Sequence, residues 1–180
     1  MSGVRRIVVG TSGSPGSLPA LRYAEGLARV CDAILIPVLA WTPPGGEIAD
    51  RSSPCAYLRR VWAEDARQRL TAALCAAWGE IPADLLVRPV VERGEAGPVL
   101  VCIACGHGDL LMIGAGQRGI PRIVSGRVSR YCLAHARCPV LAVPPSDLAH
   151  EPGHTLLRWA FWHRTLTPDQ ILHNHGGTPA

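Results

Sequence analysis

The feature that most restricts this chain is the order in which short, continuous apolar runs alternate with longer amphipathic ones. Val4 to Gly10, Ala33 to Trp41, Leu85 to Glu92, Asp109 to Gly114 and Pro139 to Val143 read as five strands. Between them lie stretches of helical spacing. Leu18, Leu21, Ala24, Leu27, Ala28 and Cys31 mark the first, with Asp32 at its exit, and residues 58, 61, 62, 66, 70, 73, 74 and 77 mark a long one from about Ala56 to Trp78. Glu95 to Cys105 and Ser125 to Ala136 complete a set of four predicted helices. Strands that are apolar throughout, instead of alternating, are buried on both faces, so the pattern predicts an α/β fold with a five-stranded parallel sheet covered by helices on each side. The third strand tolerates Pro89 only if it lies near an edge or a strand end.

Loops carry the candidate chemistry, because ligands of such sheets sit beyond the carboxyl ends of the strands where strand order reverses. Thr11 to Ser17 is a Gly/Ser/Pro loop, Thr42 to Pro54 a loop rich in Pro, Gly and Ser, and residues 114 to 124 a Gly/Arg loop. Gly114-Ala-Gly116-Gln-Arg-Gly119 has the form G-x-G-x-x-G, yet it follows the fourth strand, and no acid occurs from Leu110 to Ser146 to hold a ribose. That argues against a dinucleotide site. Glycines that let backbone approach a ligand, beside a helix opening near Ser125, remain suited to a phosphate.

Charge sharpens this reading. All 18 basic residues are Arg, which excludes a Schiff-base lysine and a P-loop lysine. The formal net charge is +4. Five arginines (118, 122, 127, 130 and 137) and no acids fall between Leu110 and Ser146, whereas the other 13 arginines face 14 acids. The excess therefore belongs to the glycine loop and the helix after it, too local for a nucleic-acid surface.

Seven cysteines in apolar segments fit reduced, mostly buried thiols better than disulfides. Cys102-Ile-Ala-Cys105 falls at a helix end, the wrong pole for lowering a thiol pKa, and reads as a pair packed on one helix face. No second C-x-x-C completes a zinc site, so no metal is predicted. No apolar run approaches membrane-spanning length, and the opening residues lack the form of a secretory leader, so a cytoplasmic protein is expected. No Gly-x-Ser-x-Gly elbow, His-Glu-x-x-His or Walker loop occurs, and no catalytic residue is assigned. His135 is expected to pack and hydrogen-bond beside Val128, Tyr131 and Cys132. Residues 1–145 form the predicted domain; 146–180 hold five of the seven histidines and Trp159, Phe161 and Trp162, a tail expected to be partly helical at most.

Several stretches resemble the universal stress protein family. They are Ile-Val-Val-Gly-Thr-Ser-Gly-Ser-Pro (7 to 15), Val-Val-Glu-Arg-Gly-Glu-Ala (90 to 96), Asp-Leu-Leu-Met-Ile-Gly (109 to 114) and Cys-Leu-Ala-His-Ala-Arg-Cys-Pro-Val-Leu-Ala-Val (132 to 143). The resemblance runs from Val4 to Val143 and implies a Rossmann-like domain of the adenine-nucleotide alpha hydrolase type. It also implies a cytoplasmic, non-enzymatic regulator of stress responses, a homodimer through the last strand, and ATP as a ligand. The family's loop, Gly-x2-Gly-x9-Gly-Ser/Thr, is matched in its long spacing by Gly116-x9-Gly126. It departs in placing Gly114 two residues before Gly116, Arg127 at the Ser/Thr position, and Ser12 where ATP-binding members carry Asp. By resemblance, Gly114, Gly116, Gly126 and the amides of Arg127 and Val128 would hold phosphates, with Arg118 and Arg127 adding charge. Thr11, Ser12 and Ala40 would line the nucleoside side. The alternative is a degenerate member whose pocket is closed and which acts as a dimeric structural or interaction protein.

Overall fold

A computed structural model describes residues 3–115 and 126–144. The five strands are β1 (Arg6–Gly10), β2 (Ile34–Trp41), β3 (Val90–Arg93), β4 (Asp109–Gly114) and β5 (Val140–Val143). All pairings are parallel, in the order β3-β2-β1-β4-β5. Helices α1 (Leu18–Cys31), α2 (Gly46–Ser52), α3 (Ala56–Trp78), α4 (Ala96–Ile103) and α5 (Arg127–His135) accompany them among the described residues, with a 3-10 turn at Pro15–Ser17. The α/β class and the five parallel strands are as predicted.

Two apolar layers hold the sheet. Ile7, Val9, Leu35, Leu39 and Met112 meet Leu21, Ala24 and Ala28 of α1 and Ala66, Leu70 and Leu74 of α3. Val8, Ile36, Val38, Leu111 and Ile113 meet Val99 and Leu100 of α4 and Cys132 of α5. Successive strand residues thus enter opposite layers, which is why the strands are apolar throughout.

Three boundaries differ from the sequence reading, each for a local reason. The third strand, expected from Leu85, begins only at Val90, with Val87 making an isolated bridge to Leu35. The register that pairs Val38 with Val90 sets Pro37 opposite Pro89, so neither residue can donate and the ladder breaks there. Pairing resumes on the other side, where the Leu35 N–H donates to Leu86 O (3.0 Å) and Arg88 N–H to Leu35 O (2.8 Å). Next, the segment expected as a loop, Thr42 to Pro54, contains α2, a helix held by ion pairs rather than by apolar spacing. Asp50, buried on α2, accepts from Arg59 Nε at 3.0 and 2.9 Å and from Arg93 at 2.6 Å, and Arg93 also bridges Glu47 at 2.7 and 3.0 Å. Finally, α4 ends at Ile103, so Cys105 lies beyond it.

That last shift corrects the reading of the thiols. Cys75, Cys102 and Cys105 are exposed, Cys31, Cys55 and Cys138 are half-buried, and only Cys132 is buried. The expected pair packed on one helix face does not exist. An apolar sequence context did not place these thiols inward, because α4 turns Val99 and Leu100 to the sheet and leaves residue 102 outside. Burial raises the Cys132 thiol above its ordinary pKa.

At the amino ends of the strands, the Asp109 carboxylate is almost fully buried and accepts from Arg6 through Nε (2.7 Å) and a terminal nitrogen (2.5 Å) and from the Gly106 N–H (2.7 Å). Arg6 also donates to Ile103 O at 3.0 Å, tying α4's exit to the start of β1. Asp109 is held below the usual carboxylate range, chiefly by its hydrogen bonds with Arg6. His135 stacks on Tyr131 with ring centroids 4.1 Å apart and has Nδ1 2.9 Å from Tyr131 O, so it is hydrogen-bonded as expected, although exposed. The expectations for residues 146–180 lie outside the described residues.

Candidate functional site

Strand order reverses at β1, whose neighbours are β2 on one side and β4 on the other. Chains leaving the carboxyl ends of β1 and β4 diverge there, the Thr11 N–H donating to Val38 O (2.9 Å) and the Ala115 N–H to Val143 O (2.7 Å). A hollow of about 280 Å³ opens between them. Thr11, Ser12, Ser14 and Ser17 form one wall and Gly114 and Ser129 another, with Val38, Leu100 and Ile113 beneath.

The serine loop is internally bonded, and its hydroxyl directions can be worked out. Ser17 donates its proton to Ser14 O at 2.7 Å, so the 2.9 Å bond between Thr11 Oγ1 and Ser17 Oγ uses the Thr11 proton. Thr11 in turn accepts from the Gly13 N–H at 3.2 Å. Ser17 and Thr11 are buried with their protons committed to these bonds, whereas the exposed Ser12 lies 2.8 Å from Ser14, leaving this outer pair able to turn toward a ligand. Gly114 keeps the opposite wall open. A Cβ there would stand 3.3 Å from Gly16 O, filling the gap between the two loops. Gly10 is needed behind the site, since a Cβ would come within 2.8 Å of Leu100.

A second hollow of about 400 Å³ adjoins the first across a ridge of Ala40, Ala96 and Val128, which line both. Its rim carries Thr42, Glu95, Arg127 and Tyr131. Tyr131 packs on Gly97, where a Cβ would meet the ring at 2.7 Å, so α4 and α5 touch and fix this rim. Beyond it, Arg93 lies 5.8 Å over the Trp41 ring and holds Glu47 and, together with Arg59, Asp50 below the ordinary carboxylate range.

Of the residues read from sequence, the structure brings Thr11, Ser12, Ala40, Gly114 and Val128 into the first hollow. Arg127 is exposed on the second. Gly126 caps α5, its carbonyl accepting from the Arg130 N–H at 2.9 Å, and lines neither. Gly116 and Arg118 lie outside the described residues. Sequence reasoning missed Ser14, Ser17 and Ser129. The first two were visible only as members of a turn-forming loop, and Ser129, 3.4 Å from Gly114 O, becomes a neighbour only once α5 docks. Among the described residues no group of three or more His, Cys, Asp or Glu side chains is placed to hold a metal, and no helix is long and apolar enough to cross a membrane.

Topology and strand order together define a doubly wound α/β domain with a crevice at its switch point. The sequence model of the universal stress protein family matches residues 3–144, and the chain belongs to that family. Universal stress protein UspA from Lactobacillus plantarum is 19% identical, covering 79% of this chain and 99% of its own, with a TM-score of 0.58. Protein MJ0577 is 18% identical over 81% and 99%, with a TM-score of 0.64. Both share the fold. A universal stress protein solved in complex with cAMP is 28% identical over 81% of this chain and 100% of its own, with a TM-score of 0.49. No curated protein sequence matches the chain.

Proposed function

We propose that this chain is a non-catalytic nucleotide-binding domain of a cytoplasmic stress response, taking ATP in the crevice between β1 and β4. One observation carries the reading: an open hollow at the switch point, walled by hydroxyls and by a glycine whose missing side chain leaves the gap free. Its size lies near the lower end of the ordinary range for small-molecule sites, roughly 300–1,000 Å³. The apolar floor of Val38, Leu100 and Ile113 suits a nucleoside. Ser12, Ser14 and the amides of Arg127 and Val128 suit phosphate oxygens. Gly116 and Arg118 belong to the same reading through their sequence positions.

Among the described residues the hollow is open, which favours binding over the degenerate alternative, in which the pocket would be closed. Homodimerisation through β5 is part of the proposal; this strand ends the sheet, and its Ala142 is exposed. Calorimetric titration of the full chain with ATP tests the central point. Saturable heat with one ATP per chain is expected, and neither heat nor a thermal shift at millimolar ATP would reject it.

A further inference from the structure

Helices α1, α3, α4 and α5 each send apolar side chains into one of the two layers on the sheet. Helix α2 sends none. Its isoleucine, Ile48, is 81% exposed, and the one residue that the helix buries is Asp50. A buried carboxylate brings a desolvation cost and no hydrophobic attraction, so α2 stays on the domain through whatever that carboxylate binds.

Its partners come from two other elements. Arg59 of α3 places Nε 3.0 and 2.9 Å from the two Asp50 oxygens. Arg93 of β3 donates a terminal nitrogen to Asp50 at 2.6 Å and forks onto Glu47 at 3.0 and 2.7 Å. The Asp50 side chain is 2% exposed, but those of Arg59 and Arg93 are 38% and 31%, so water and salt reach the cationic half of each pair. Surrounding charge adds no grip. Arg51, on α2 itself, is repelled by both arginines, and Glu92 and Glu95, exposed acids flanking Arg93 in sequence, repel Glu47 and Asp50. Direct bonds to two guanidinium groups are therefore what hold the helix.

The chain on each side of α2 is suited to turning. Gly45 and Gly46 have φ of +81° and +83°, a region that glycine enters without strain, and Ser53 and Pro54 beyond the other end are exposed. Hinge and latch also border the second hollow, since Thr42 shortly before the glycines and Gly94 directly after Arg93 both line it.

We propose that α2 is a flap latched by ion pairs, which swings away as a unit about its two flanks when the bonds from Arg59 and Arg93 break, while the sheet and α3 stay folded. Such an opening is a local transition of low cost, distinct from unfolding of the packed core. It loosens the rim of the second hollow from the side of β2 and β3.

Trypsin reads the open state, because the Arg51–Ser52 bond lies inside α2 and is cut only when that segment opens. The experiment follows this cut in the full chain by mass spectrometry, with a peptide of the same sequence correcting for the response of the protease itself to salt and to each substitution. Cleavage at Arg51 is expected to run several-fold faster in molar than in dilute sodium chloride. Asp50→Asn should raise it about tenfold or more, the ordinary weight of hydrogen bonds to a charged group. Arg93→Gln, which leaves the cleaved sequence intact, should act in the same direction. Throughout, the Arg69–Leu70 bond of α3, with Leu70 buried in the core, should keep its slow rate. Cleavage at Arg51 that ignores salt, or either substitution, overturns the proposal. Acceleration at Arg69–Leu70 in step with Arg51 overturns it equally, because the whole domain would then be opening.

Discussion

The two ends of this sheet are built from opposite chemistry. At the amino ends, a buried carboxylate is saturated by a guanidinium and an amide, and α4 is tied to β1 through the same arginine. At the carboxyl ends, the described wall of the central hollow contains no charge, only hydroxyls, glycines and apolar side chains. One end spends its polar groups on each other; the other leaves its outer hydroxyls and amides for something to arrive. A parallel sheet invites this division, since its strand ends are chemically distinct and its crevice forms at one end alone. Stability and binding should therefore be separable by mutation.

Asp109→Ala attacks the first end and should have the largest effect. It removes the acceptor for Arg6 and Gly106, and because Arg6 remains over a third exposed the loss should be about 2–3 kcal/mol, below the full cost of a broken buried pair. Denaturant unfolding measures it, and the binding site should keep its affinity in protein that remains folded. The pH dependence follows from the same group. Asp109 is depressed when folded and ordinary when unfolded, so its contribution is complete above the usual carboxylate range and fades as pH falls through the folded value. The variant's acid limb should accordingly be shallower than the wild type's; parallel limbs would remove Asp109 from the account.

Gly114→Val attacks the second end. A side chain there meets Gly16 O and fills the gap between the two loops, so ATP affinity should fall by about 1–3 kcal/mol, roughly five- to 150-fold, by the ordinary scale of overpacking. Melting temperature should change little by comparison. A large stability loss without a binding defect would invert the comparison. Ser17→Ala probes the boundary between the two roles: it leaves the Thr11 proton without its acceptor and should cost about 1 kcal/mol in stability. A smaller effect on binding is expected, because the Ser17 proton is already committed to Ser14 O within the loop.

Much of this was legible in the sequence. Continuous apolar runs such as Ile7 to Val9 named buried parallel strands, and Pro89 announced trouble in the third one. What escaped was set by partners distant in sequence. Helix α2 has no periodicity to declare it; Asp50 acquires meaning only when Arg59 and Arg93 close around it. The pairing of Pro37 with Pro89 needed the register. Gly114 and Val128 were found through resemblance to a family loop, and Thr11, Ser12 and Ala40 through the nucleoside side that the same family implies, but Ser14, Ser17 and Ser129 join them through turns and helix docking that spacing does not encode. Cysteines misled for the converse reason. An apolar neighbourhood in sequence says little about which face of a short helix each residue takes.

Amide chemical-shift mapping of the isotopically labelled chain during titration with ATP tests the central claim most directly, because it reads both ends of the sheet at once. The account requires saturating shifts at Thr11, Ser12, Ser14, Gly114, Val128 and Ser129, with Arg6, Gly106 and Asp109 unmoved. Shifts centred on the amino ends, or none at millimolar ATP, would contradict it.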